Sequence, residues 1–382
     1  MAIFSWIGLM IAVAPLAQPL TAASAPNPAA SPPPAAASRW TEADREALID
    51  EITRSRAEGL LPERYDIRAL QADAAADRAA LALAHDYAEG MAPAAARRGW
   101  NIPRSSIDYR AWLDDALSRH NLSAALRALL PQDRAYDGLR SALARCDTPA
   151  HCLTIRVNLE RWRWLPRVLG FHFVWVNSAA FRLDLVEQGA VLSSHRAIMG
   201  KPSTPTPVFT TLIRGVTVNP WWHVPRSIVA ESIGALVQRR PAEAARRGYV
   251  ATYAPGGGLS VSQRPGPSNA LGLIKLDMPN PHSIFIHDTP ARSLFEQEKR
   301  AYSHGCIRTQ HPEFLARILL APNQHAMFDA LLASGASQTL PLAMPVPVYI
   351  VYFTAEADAT GGAAFYDDIY RRDPLIAAIF AP

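Results

Sequence analysis

Lysine, cysteine and long runs of like character are all scarce in this chain. Only three of its 38 basic residues are lysine (Lys201, Lys275 and Lys299). With the abundant alanine, that imbalance reads as nucleotide-composition bias rather than as selection for an anionic partner. Arginine pairs stand at Arg97-Arg98, Arg239-Arg240, Arg246-Arg247 and Arg371-Arg372, but no run of five or six like charges occurs, so nucleic acid is not an expected partner. Charge is missing altogether from residues 1–38, and the first charged side chain is Arg39. No cysteine precedes Cys146, which excludes a lipid-modified cysteine close to the amino terminus. The uncharged stretch 330–355 does not read as a membrane span, because it carries Ser, Gly, Gln and Thr together with Pro341, Pro345 and Pro347. A hydrophobic share of 49% argues against disorder throughout, and 382 residues suit two domains.

What is present begins with an export pattern. Ile3 to Ala17 are apolar apart from Ser5, interrupted by Pro15, and small residues follow at 21–25. The run is short for a spanning helix, which predicts a signal peptide over 1–25. No Lys or Arg precedes the run, so an uncleaved anchor is the alternative. Residues 26–38, rich in Pro and Ala, read as an extended linker. The expected location is the periplasm. Three cysteines divide there as a pair and a single: Cys146 and Cys152 enclose five residues, a loop that a disulfide could close, whereas Cys306 lacks a partner.

From Thr41 the pattern is helical, with a capping box at Thr41 to Asp44, an apolar stripe of Leu48, Ile49 and Ile52, and a stop at Gly59. Further helices are predicted at 77–89, near 108–130 and at 134–145. The character changes at Ile155. Strands are predicted at 171–176, 181–186, 190–192 and 216–218, with turns at Gln188-Gly189 and Gly200-Lys201-Pro202. Helical interludes at 225–247 and 312–334 and a last strand at 346–354 complete an α+β reading: a helical domain over 39–150, a mainly β domain over 151–373 and a tail from 374. Trp162, Trp164, Trp175, Trp221 and Trp222 read as core or cleft wall. The segment between Arg226 and Ile284 is long enough for a lid, with Gly256-Gly257-Gly258 as its hinge.

The chemistry is concentrated in Phe285-Ile286-His287-Asp288 and Ser303-His304-Gly305-Cys306-Ile307-Arg308. An unpaired cysteine after a glycine, with one histidine two residues before it and another nineteen before, offers a thiol nucleophile, an imidazole to manage its proton and backbone amides for an oxyanion. A zinc site from His282, His287, His304 and Cys306 is the rival of another class, although these spacings match no common closed zinc pattern.

This signature resembles the L,D-transpeptidase (YkuD) catalytic-domain family of bacterial cell-wall cross-linking enzymes, in its large periplasmic YcbB-like branch. The resemblance extends to Ile155 through Pro166, Thr204-Pro205-Thr206-Pro207-Val208-Phe209, Asn219 through Pro225, Asn269-Ala270-Leu271-Gly272 and Tyr366-Asp367-Asp368-Ile369-Tyr370, and more weakly to 41–145. Only a short segment joins Arg145 to Ile155, leaving no room for the peptidoglycan-binding module that the branch usually inserts there.

The resemblance implies Cys306 as nucleophile and His287 as base, oriented by the Asp288 carbonyl. It also implies Gly305 and Cys306 amides as the oxyanion hole, and His304 as an oxyanion or substrate donor or a lock on the loop. Arg308 is expected to pair with a stem-peptide carboxylate or to form a structural salt bridge. Ser303, expected to bond within the turn, joins Asp288, Asn269, Gly272 and Trp222 as the remaining substrate-binding candidates. The implied partners are donor and acceptor peptidoglycan stem peptides and cell-wall synthesis proteins. No cofactor or metal is implied. The implied reaction is formation of 3→3 cross-links, with hydrolytic L,D-carboxypeptidase action, lipoprotein transfer to or release from the wall, and a non-catalytic wall-binding scaffold as alternatives.

Overall fold

The computed structural model describes residues 38–104 and 106–381. The expected export segment and all but the end of the linker lie outside them. Among the described residues no helix is long and apolar enough to cross a membrane.

The chain opens with helix α1 (Glu42–Arg54), and the predicted capping box is present: the Thr41 hydroxyl accepts from the Asp44 amide at 3.1 Å while the Asp44 carboxylate accepts from the Thr41 amide at 3.2 Å. A 3₁₀ turn then stops at Gly59, in the left-handed region with φ +78°. Helix α2 (Asp73–Glu89) stops at Gly90, where a Cβ would lie 2.1 Å from the Glu160 carboxylate. A short strand, β1 (Trp100–Asn101), and helices α3 (Tyr109–Ser118), α4 (Leu122–Ala128) and α5 (Arg134–Leu143) follow. The single helix expected near 108–130 is thus two, broken where His120 takes φ +50°.

A sixth helix, α6 (Pro149–Trp162), escapes the sequence reading because its charged residues are inward-facing. Glu160 accepts from the Ala92 amide at 2.7 Å and pairs with the buried Arg163 at 3.3 Å. Asn158 clamps Thr354 in both directions, at 2.8 and 2.9 Å, and Arg161 reaches Asp373 at 2.7 Å. These buried polar groups are tolerated because each finds a partner. A Cys146–Cys152 disulfide closes the turn entering α6.

The strands that follow are β2 (His172–Asn177), β3 (Arg182–Glu187), β4 (Ala190–Gly200), β5 (Val208–Val218), β6 (Trp222–His223), β7 (Tyr249–Tyr253), β8 (Leu259–Gln263), β9 (Ile274–Asp277), β10 (Ile286–His287), β11 (Ala301–Ser303), β12 (Ile307–Thr309), β13 (Gln338–Val351) and the small hairpin β14 (Ala355–Ala357) and β15 (Ala363–Phe365). Their main sheet runs β5-β13-β2-β3-β4-β12-β10-β9, and β9 pairs again with β5, so the ladder closes on itself. A closed ladder leaves no open edge among these strands. β13 begins at Gln338, eight residues before the expected start of the last strand at 346. Its prolines are accommodated beside an irregularity in the β5 register between Pro341 and Val346.

Side-chain alternation explains the near-continuous apolar runs. Val174 and Val176 of β2, with Val348 and Ile350 of β13, face one core shared by the barrel strands. Phe173 and Trp175, with Tyr349 and Val351, face a second core built with α1 to α6. A strand covered on both sides has no polar face to show. Helices α10 (Pro312–Leu319) and α11 (His325–Ser334) complete the barrel core through Leu315 and Phe328.

Residues 222–263 form a small unit of their own. Helices α7 (Arg226–Ile228), α8 (Gly234–Arg239) and α9 (Pro241–Arg246), with a π turn over Val229–Ile233, pack on the three-stranded sheet β6-β8-β7. Val224, Leu236, Val237, Ala244 and Val261 are its core. The expected hinge is corrected here. Gly256 and Gly257, at φ +104° and +86°, form the tip of the β7–β8 hairpin, closed by the Ala254 amide on the Gly258 carbonyl at 2.9 Å.

Candidate active site

Three neighbouring strands set the site. In β9, β10 and β12, Ile274, Leu276, Ile286 and Ile307 point into the barrel, so Lys275, His287 and Arg308 share the opposite face, while Cys306, just before β12, is partly buried and also touches the barrel core. Register aligns Lys275 with His287 and His287 with Arg308, giving a row of cation, imidazole and cation across the wall. Cys306 stands one step before β12, diagonal to His287. The Ile307 amide bonds the Phe285 carbonyl at 2.9 Å and locks that register.

His287 is 4% exposed, and its Nδ1 lies 2.5 Å from the Asp288 carbonyl, as the resemblance implied. A carbonyl can only accept, so Nδ1 carries the proton and Nε2 is left as the basic nitrogen. Burial, reinforced by the Arg308 charge, holds His287 down to about 3, against the pull of the Asp288 and Leu271 carbonyls. The imidazole is therefore neutral at physiological pH. The partly buried Cys306 thiol is pushed up by burial, opposed by the Phe285 amide and by the Arg308 and Lys275 charges. Its Sγ sits 3.9 Å from the Ser283 carbonyl. No hydrogen bond joins thiol and imidazole among the described residues, an arrangement common in unliganded sites that tighten on substrate.

Between them the turn 303–306 is tightly built. Gly305 takes φ +112°, and a Cβ there would lie 3.0 Å from Ile284 Cδ1. Its carbonyl accepts from the buried Thr206 hydroxyl at 2.9 Å, and Thr206 accepts in turn from the Gly200 amide at 2.9 Å. The expected oxyanion hole needs correction, because the Gly305 amide is occupied, donating to Ser303 Oγ at 3.1 Å. The Cys306 amide has no partner among the described residues and is the donor left for an oxyanion.

Several candidates have their side chains engaged within the protein itself. Ser303 is 1% exposed and spends its hydroxyl on the Cys306 carbonyl at 2.5 Å. Asn269, fully buried, ties its own loop together through Pro220, Arg264 and the Leu271 amide. Gly272, at φ +62°, leaves room for Asp288, whose carboxylate a Cβ would meet at 2.3 Å. That carboxylate is buried and bonds the Leu273 amide at 2.9 Å. Trp222 packs half-buried in the 222–263 unit, 6.5 Å from Tyr249.

Two candidates do stand open to a ligand. Arg308 has no carboxylate partner among the described residues, and its buried Nε is unbonded, which removes the structural salt-bridge alternative. His304 is exposed, with Nε2 2.8 Å from Glu231 of the π turn and 3.5 Å from Lys201 Nζ. Because His304 meets Glu231 while His282 packs on Phe209 at 4.8 Å, the zinc ligand set does not converge. Sequence reasoning missed Lys275 and Thr206; the signal for Lys275 was the rarity of lysine. Chemically, a thiol beside a neutral imidazole, a free amide and unpaired cations suits acyl transfer to and from anionic peptides.

Residues 172–348 match the YkuD family, the L,D-transpeptidase catalytic domain, and residues 36–143 match the Scaffold domain family. The chain thus carries an L,D-transpeptidase catalytic domain of the YkuD family behind a helical Scaffold domain. A Haemophilus influenzae protein named "Putative L,D-transpeptidase" is 30% identical over 241 residues, covering 58% of this chain and 48% of that protein. The chain therefore spans about half the length of the curated relative it matches. Among solved structures, an L,D-transpeptidase from Mycobacterium smegmatis is 16% identical, covering 47% of this chain and 58% of its own, with a TM-score of 0.25. The C442S mutant of an Enterococcus faecium L,D-transpeptidase is 12% identical, covering 48% and 50%, with a TM-score of 0.25.

Proposed function

We propose that this protein is an exported, thiol-dependent peptidoglycan L,D-transpeptidase. The observation that carries the proposal is the pairing of β10 with β12, which brings the chain's one free thiol, Cys306, beside the strand of a neutral imidazole with Nδ1 engaged and Nε2 left as the basic nitrogen. His287 takes the thiol proton and Cys306 Sγ adds to the carbonyl of the third residue of a tetrapeptide stem. The Cys306 amide supports the oxyanion, and D-alanine departs with the proton returned by His287, leaving a thioester. An amine of a neighbouring stem then attacks the thioester, the C–S bond breaks, and a 3→3 cross-link forms while the thiol is regenerated. Arg308, unpaired beside the thiol, is suited to a stem carboxylate.

The test incubates the protein with tetrapeptide muropeptides and reads products by mass. A dimer joined third residue to third residue is expected, and none with Cys306→Ala. Tripeptide monomer alone would reassign the activity to an L,D-carboxypeptidase. Equal product from Cys306→Ala would refute thiol catalysis.

A further inference from the structure

Two of the three lysines lie at this site, in a chain that otherwise uses arginine for its positive charge. Lys201 has a partner in Glu231, with Nζ 3.6 Å from its carboxylate. Lys275 has none: no carboxylate lies within 4 Å of it among the described residues, and its Nζ instead sits 4.7 Å over the Phe285 ring. Phe285 precedes His287 by two residues on the same side of β10, and its carbonyl receives the amide directly after Cys306. The aromatic ring thus holds the ammonium on the His287 face without neutralising it.

We propose that Lys275 helps to stabilise the Cys306 thiolate as it forms, acting from the strand on the other side of His287 from Arg308. The proposal rests on the thiol-dependent reading above and adds a residue to it. Its physical basis is the row Lys275, His287, Arg308. His287 is buried and neutral and the thiol is protonated at rest, so no resting imidazolium stands beside the sulfur, and the permanent charges on either side of His287 lower the cost of forming the thiolate. The charged and titratable neighbours are few. β9 contributes Lys275 and, two residues on along the same face, Asp277, whose carboxylate lies more than 4 Å from the Lys275 ammonium, while β10 contributes His287 and β12 Arg308. The 280–284 loop contributes His282, stacked on Phe209, and the turn contributes His304, engaged with Glu231 and Lys201. The Asp288 carboxylate is turned away onto the Leu273 amide and Arg292.

The test is alkylation of the full chain by iodoacetamide across pH, read by mass. Cys146 and Cys152 are bonded to each other, so the label reports Cys306 alone. Lys275→Met is expected to move the midpoint of the rate profile up by about one pH unit, a roughly tenfold slower reaction at pH 7. Lys275→Arg, which keeps the charge, is expected to restore the midpoint. Melting temperature checks folding, and Lys275→Gln is read in the same way should Lys275→Met fail to fold. An unmoved midpoint in a folded, charge-removing variant overturns the proposal. So does a change confined to muropeptide KM, which would assign Lys275 to gripping a substrate carboxylate instead. Alkylation needs no muropeptide, so absence of cross-linking refutes the proposed function without touching this result.

Discussion

Thr206 offers the sharpest test of how the reactive turn is held. Its side chain is fully buried, and its one hydroxyl serves two backbone groups, donating to the Gly305 carbonyl and accepting from the Gly200 amide, each at 2.9 Å. Thr206→Val keeps the shape and removes both bonds. An unsatisfied buried backbone group costs about 1–3 kcal/mol, so two that partly relax should cost about 2–4 kcal/mol together. At roughly 2 °C per kcal/mol the melting temperature should fall by about 4–8 °C. The functional effect should exceed the stability effect, because the freed carbonyl belongs to Gly305, whose φ of +112° sets the turn that presents Cys306. Tyr370 is a second brace, donating to the Gly200 carbonyl at 2.7 Å and accepting from the Thr206 amide at 3.2 Å, so the turn should loosen rather than unfold. Differential scanning calorimetry and the rate of thioester formation measure the two effects, with Thr206→Ser as the variant that keeps the hydroxyl. A Thr206→Val protein that melts within 1 °C of the parent and acylates at the parent rate would refute the reasoning.

Three further outcomes are expected. Glu231→Gln should leave the melting temperature close to the parent's, because the His304 and Lys201 contacts are exposed, yet should raise the protease sensitivity of 222–263; unchanged cleavage would show that the contact does not restrain that unit. His287 remains neutral in the folded chain down to about pH 3, whereas an unfolded histidine binds its proton near pH 6.5, so the unfolded state holds the extra proton across that window. Its contribution is therefore fully stabilising above pH 6.5 and is lost progressively as pH falls toward 3, and His287→Gln should flatten that slope in denaturant titrations at pH 7 and pH 5. Reducing the Cys146–Cys152 bond should cost about 2 kcal/mol while leaving Cys306 alkylation unchanged, a split that mass-read labelling beside calorimetry detects.

The parts of this molecule that were readable in sequence are those whose physics is local. The Thr41 capping box, the stops at Gly59 and Gly90 and the Gln188-Gly189 turn depend on a few adjacent residues, and each stands where the pattern put it. The reactive segment was readable for the same reason: Ser303 to Arg308 is one turn and one short strand. Helix α6 was not, because Glu160, Arg161 and Arg163 look like a solvated face until residues from 58 to 373 are brought around them. Asn269 and Gly272 were assigned to substrate because they sit in a segment of the family pattern. In the fold their side-chain and backbone requirements are consumed by Pro220, Arg264 and Asp288.

The electrostatic environment of the thiol belongs to a further level, that of strand register. Lys275, His287 and Arg308 are separated by twelve and twenty-one residues, and no local rule joins them. Sliding β9 by one residue against β10 would turn Lys275 into the barrel and replace it beside His287 with Ile274 or Leu276. The register is held from the other edge, where Val216 and Val218 of β5 pair with Leu276 and Ile274 inside the core. Hydrophobic burial in the barrel therefore fixes which charge faces the nucleophile. A substitution confined to that interior, such as Leu276→Ala, would act on Cys306 only through this register. If it shifts the register rather than merely opening a cavity, it should move the Cys306 alkylation midpoint in the same direction as Lys275→Met. A large loss of stability with an unmoved midpoint would mean that the β5 pairing holds the row on its own.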